Sequence, residues 1–121
     1  MTVTASQILE RLEVLMAELD EAIEESSRWA RAYAGARPAY DRAKALAFVE
    51  TKGQGTVAER EAFAEIGCSD ESFSRWEAEV LWKNAANVMK ARIAKITALQ
   101  TWASNVKSER DMAARGPQVR P

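Results

Sequence analysis

Apolar residues recur near the N-terminus at alternating steps of four and three: Ile8, Leu12, Leu15, Leu19, Ala22, Ser26, Trp29 and Tyr33, a seam interrupted only by Ser26. This heptad spacing predicts an amphipathic helix over about 5–34. Thr4 and Gln7 stand at the spacing of a capping box, in which each side chain satisfies an unpaired N–H of the first turn. Glu10, Glu13, Glu18, Glu21, Glu24 and Glu25 flank the seam. Acids early in a helix also interact favourably with its macrodipole. Such a helix either packs within its own chain or pairs with another as a coiled coil. Periodicity alone leaves both open.

Gly35 and Pro38 predict a kink or short break, because proline lacks a backbone donor and clashes with the preceding turn. Helix should resume over 38–50 with Tyr40, Leu46, Ala47 and Phe48 as its apolar members. Lys52-Gly53-Gln54-Gly55 reads as a loop. Thr56 and Glu59 form a second capping box and open a short helix over about 57–66, with Gly67 as the expected C-cap. Ser69 or Asp70 should then cap a final helix over about 70–115. No Gly or Pro occurs between Cys68 and Arg115. At ~1.5 Å per residue this helix spans roughly 65–70 Å. Gly116-Pro117 should stop it, leaving 117–121 as a flexible tail.

Along that last helix runs an apolar stripe of Leu81, Ala85, Val88, Ile96, Leu99, Trp102, Ala103 and Val106, with Arg92 in its middle. A cation on an apolar seam needs an acceptor, or it must lie where water or a ligand reaches it. Glu18, Glu21 or Glu25 of the first helix, in the same chain or a neighbour, is the expected partner. The opposite face, with Asn87, Ala94, Thr97, Thr101, Asn105 and Ser108, is small and polar. The expected fold class is therefore all-α: an extended helical hairpin or small bundle, one domain over 1–116. A stripe longer than the first helix can cover argues for a homo-oligomer, with Leu99, Trp102 and Val106 as candidate interface residues.

Charge changes this picture. The chain carries 17 basic and 18 acidic residues, yet they are sorted along it. Residues 1–27 hold seven acids and one Arg, whereas residues 80–121 hold eight bases and two acids. The two ends either pair with each other, within or between chains, or the basic end meets an external polyanion. There is no His, which removes the commonest general base and metal ligand. Neither a Gly-rich phosphate loop nor a nucleophile elbow occurs. The expectation is a protein that is not an enzyme and uses no cofactor or metal. Four Trp in so short a chain are candidate anchors for a core or an interface. The single Cys68 cannot form an intramolecular disulfide. Together with the lack of a bilayer-length apolar run and of a secretory signal, this predicts a cytoplasmic protein with no membrane partner.

Three stretches resemble the small helical recombination mediators of T-even phages, the UvsY family. They are Asp41-Arg42-Ala43-Lys44-Ala45-Leu46-Ala47-Phe48, the run from Glu61 to Ser72, and Val88-Met89-Lys90-Ala91-Arg92-Ile93-Ala94-Lys95-Ile96. The likeness covers about residues 38–116. It implies a protein, phage-encoded and active in the host cytoplasm, that binds single-stranded DNA and assembles into a ring or other oligomer through its C-terminal helix. It also implies a role in loading a recombinase onto DNA coated by single-strand binding protein. By position, Lys44 and Arg42 would carry the DNA contact, and Leu46 stands where a second basic residue is expected. Single strands are held by cations along the phosphates and by aromatic faces stacked on bases. Arg42, Lys44, Lys52 and Lys90 are thus candidate phosphate contacts, with Tyr40 or Phe48 as stacking candidates. The alternative is a small helical protein–protein interaction module with no DNA role, such as a phage inhibitor, adaptor or scaffold.

Overall fold

The computed structural model describes residues 3–115. The expected helix stop at Gly116-Pro117 and the tail 117–121 lie outside them. The described chain forms three helices, α1 (Ala5–Glu50), α2 (Val57–Gly67) and α3 (Ser69–Arg115), with no strand among the described residues. The fold is all-α, as the periodicity predicts.

The first capping box is complete, and of the second the Thr56 half forms. Thr4 N–H donates to Gln7 Oε1 at 2.9 Å, and Gln7 N–H donates to Thr4 Oγ1 at 3.2 Å. At α2, Glu59 N–H donates to the Thr56 hydroxyl oxygen at 3.2 Å. Between α1 and α2 the chain turns at Gly53 (φ 83°) and Gly55 (φ 81°), values that side chains with a Cβ avoid. No basic residue lies in the last turn of α1. Arg60 of α2 supplies that charge: its Nη2 donates to the Phe48 carbonyl at 3.1 Å, and its guanidinium lies 4.1 Å from the Phe48 ring centre.

Three expectations need correction. Of the kink or short break expected at 35–38, the break is absent: α1 runs continuously through Gly35 and Pro38. A proline inside a helix costs roughly 3 kcal/mol, and packing on both sides of it opposes a break. Tyr33 stacks on Trp82 with ring centres 5.4 Å apart, and Tyr40 donates to Glu65 at 2.7 Å. The steps of three and four also continue in phase through Tyr33, Ala36, Tyr40, Ala43 and Ala47, all half-buried. Gly67 is not the left-handed cap of α2. It stays helical, and Cys68 is the cap, with its N–H bonded to Ala64 O. Gly67 instead permits close approach, since a Cβ there would lie 3.4 Å from Ala47 Cβ. Finally, α3 begins at Ser69, so Cys68 also occupies the position expected for Ser69 or Asp70; Ser72 N–H bonds to its carbonyl at 2.9 Å.

Packing falls into two compact units. One is Ile23–Asn87; the other is formed by the chain on either side of it. In the first, α2 and the adjoining parts of α1 and α3 meet around small buried residues: Ala64, Cys68, Ala78 and Ala85. Small residues let helix backbones approach, and the Tyr33–Trp82 stack joins α1 to α3 in the same unit. In the second, the first turns of α1 lie along the C-terminal half of α3, and the buried residues include the larger Leu15 and Ile96. The seam of α3 runs through Ala78, Trp82, Ala85, Met89, Arg92, Ile96, Leu99, Ala103 and Val106. Leu81, Val88 and Trp102, expected on it, stand beside it; Leu81 is half-buried, and Val88 and Trp102 are 46% and 42% exposed.

Candidate functional site

Glu65 on α2 organises the densest polar cluster in Ile23–Asn87. Tyr40 Oη donates to its Oε2 at 2.7 Å, and Ser72 Oγ donates to its Oε1 at 2.9 Å. Lys44 Nζ lies 3.5 Å from Oε2. Arg75 covers the Tyr40 ring at 4.6 Å, and Lys44 approaches the same ring at 5.8 Å. The hydrogen bonds from Tyr40 and then Ser72 hold the Glu65 carboxyl below the usual carboxylate range, against the opposing effect of burial. The Tyr40 hydroxyl is pushed up by its bond to Glu65 and then by burial. Lys44 is pushed up by Tyr40 and then by Glu65. Burial pushes the Cys68 thiol up, so it is a packing residue and not an activated nucleophile.

This cluster has a pH signature. A carboxyl whose pKa is lowered on folding adds stability that is complete above its unfolded value, about 4.3. That stability is lost as the pH falls through the depressed folded value. Glu65→Gln is therefore expected to flatten the fall of the melting temperature between about pH 4.5 and 3. Thermal melts across that range, compared with wild type, check it; identical slopes would show that the cluster does not discriminate the two protonation states.

The residues expected to contact DNA are not assembled into one basic surface. Lys44 is committed to Glu65 and Tyr40. Arg42 and Lys52 are exposed and make no ion pair among the described residues. Lys90 is exposed too, but belongs to the other compact unit. The aromatic faces proposed for base stacking are engaged by the chain's own cations, Tyr40 by Arg75 and Phe48 by Arg60. The depression beside them, lined by Asp41, Lys44, Ala45, Phe48 and Glu61, contains two acids for one cation.

A feature absent from the sequence expectations lies at the α2–α3 corner. Ile66, Phe73 and Trp76 are 71%, 58% and 56% exposed. The Phe73 and Trp76 rings sit 5.9 Å apart in a tilted pair. With Glu65, Ser69, Ser72 and Arg75 they border an open groove of about 520 Å³. The sequence carried a trace of it: Phe73, Trp76 and Val80 recur at steps of three and four, out of phase with the seam at Ala78, Trp82 and Ala85.

No family model, curated protein or solved structure matches this chain. The likeness to the phage mediators therefore rests on its quoted residues alone. Two of the three candidate interface residues line a second groove, of about 380 Å³. Leu99 and Trp102, with Leu15 and Ala98, form its apolar wall between Arg11 and Lys95. Val106 is half-buried on the seam, outside that lining. Among the described residues no helix is long and apolar enough to cross a membrane, and no three His, Cys, Asp or Glu side chains are grouped to hold a metal.

Proposed function

We propose that this chain is a non-enzymatic helical interaction module, whose α2–α3 corner receives a basic, apolar-faced helix of a partner protein. The exposed Phe73–Trp76 pair with Ile66 carries this reading. Exposed aromatics grouped beside a groove are the residue types that dominate binding energy at protein interfaces. The groove's own lining holds one acid, Glu65, and one base, Arg75, but the stretch that carries it is acidic: residues 57–79 hold seven acids and only Arg60 and Arg75 as bases. Acids around an apolar centre favour a cationic helix and repel an anionic one.

A synthetic helical peptide with Leu and Lys at alternating three- and four-residue spacing is a suitable probe. Titration followed by calorimetry should show binding that Phe73→Ala with Trp76→Ala weakens at least about tenfold, given ~1.4 kcal/mol per decade and the large contribution of buried aromatics. Equal affinity for the double variant would remove the corner from consideration.

Single-stranded DNA binding is the second reading, favoured by Arg42 and Lys52, exposed and in no ion pair among the described residues. A fluorescent oligothymidine at low salt tests it. Each phosphate contact contributes about −0.7 to the slope of log affinity against log salt. Binding that disappears in Arg42→Ala with Lys52→Ala would support the mediator-like role, with a recombinase and single-strand binding protein as its protein partners. No binding at low salt would leave the protein-interaction reading alone.

A further inference from the structure

The unit formed by the first turns of α1 and the C-terminal half of α3 has two unlike surfaces that match each other. The first is the groove of Leu15, Ala98, Leu99 and Trp102, walled by the cations Arg11 and Lys95. The second lies on the other flank of α1, where Leu9, Glu13, Met16 and Asp20 follow one another at steps of four, three and four. Helical periodicity places these four on one edge. Leu9 and Met16 are 56% and 48% exposed, and Glu13 and Asp20 are exposed between them. The edge is apolar laced with acids; the groove is apolar walled by bases.

Neither surface is neutralised among the described residues. Arg92–Glu18 is the one ion pair joining α1 to this half of α3 among the described residues. Glu13, Asp20, Arg11 and Lys95 take part in none. Two helices packed side by side cannot cover both flanks of either helix, so the apolar groove and edge stay open to water. A partner helix that brought carboxylates between Arg11 and Lys95, and apolar side chains onto Leu99 and Trp102, would fill the groove. The chain's own α1 edge has that composition and spacing.

We propose that the groove of one copy receives the Leu9–Asp20 edge of α1 from a second copy. The two surfaces differ, so the contact is head-to-tail: each copy offers its groove to one neighbour and its edge to another. Such a contact builds a ring or an open array of more than two subunits, and not an isolated two-fold pair.

Light scattering on the full chain at micromolar concentration tests this, with far-ultraviolet circular dichroism to confirm that each variant keeps its helicity. Wild type should have the mass of more than two subunits. Glu13→Lys with Asp20→Lys makes both surfaces of one chain basic, and Arg11→Glu with Lys95→Glu makes both acidic. Each variant alone should fall to the monomer mass, and an equimolar mixture of the two should recover the larger assembly. Trp102→Glu, which leaves the four charges in place, should also yield monomer. A wild-type monomer or a fixed dimer overturns the proposal. So do reversed variants that keep the wild-type mass, and so does a mixture that stays monomeric after each variant has dissociated.

Discussion

Replacing Leu15 by Ala should lower the unfolding free energy by about 3 kcal/mol, the middle of the range for emptying a leucine-sized site. The expectation comes from how little large apolar volume this chain buries. Of the seven buried hydrophobic residues among those described, four are Ala and one is Cys; Leu15, at 3% exposed, and Ile96, at 8%, are the two with long aliphatic side chains. Leu15 sits on the α1 seam, and its neighbours along that seam, Leu12 and Leu19, are only half-buried. Alanine there would remove the best-buried contact of this unit, and the adjoining helix backbones would collapse only in part. Leu46→Ala is the control. Leu46 is 59% exposed, so the loss should stay within about 0.5 kcal/mol. Urea unfolding of the three proteins at a common concentration gives the comparison. A Leu15→Ala cost no larger than that of Leu46→Ala would mean that the α1 seam is not where this unit derives its stability.

Arg92→Ala should be the second most damaging of these changes. Arg92 Nη1 meets Glu18 Oε2 at 3.1 Å, and the two side chains are 33% and 35% exposed. Exposed pairs contribute about 0–1 kcal/mol, whereas breaking a fully buried pair costs about 3–5 kcal/mol. A pair one-third exposed falls between, at about 2 kcal/mol. Part of that belongs to the aliphatic stem, which lies on the seam between Met89 and Ile96 and covers apolar surface. Arg92→Met keeps the stem and should recover about half of the loss. Lys90→Ala, at an exposed position two residues away, should change stability by less than about 0.5 kcal/mol. A double-mutant cycle with Glu18→Gln isolates the pair itself; a coupling near zero would assign the whole effect to packing.

These residues also divide what was legible in the chain from what was not. Helix starts are local. Thr4 with Gln7, and Thr56 with Glu59, stabilise first turns whatever the rest of the molecule does, so their positions follow from spacing. The loop at Gly53 and Gly55 follows from the backbone angles that only glycine adopts without strain. The α1 seam was readable because its heptad is nearly unbroken, and its half of the Arg92 pair could be narrowed to three glutamates. The interaction surfaces were less legible. Phe73 and Trp76 form a regular stripe, but a stripe does not say whether it faces a core or water. Leu99 and Trp102 were placed together on a helix, and only the fold added Leu15, Arg11 and Lys95 around them.

The sequence by itself determined the helical character of the chain, the helix starts at Thr4 and Thr56 and the glycine loop before Thr56, because each depends on interactions within a few residues. Tertiary structure decided the rest. It carried α1 through Pro38, because the Tyr33–Trp82 stack and the Tyr40–Glu65 bond hold both sides of a local defect that propensity alone would break. Out of three glutamates it selected Glu18 for Arg92. It moved the α3 seam from Val88 to Met89 and left Trp102 beside it, since the facing helix, and not residue type, sets which flank is covered. It also occupied the Tyr40 and Phe48 rings with Arg75 and Arg60. Those contacts join residues 12 to 35 positions apart, and no periodicity along the chain encodes a distance of that kind.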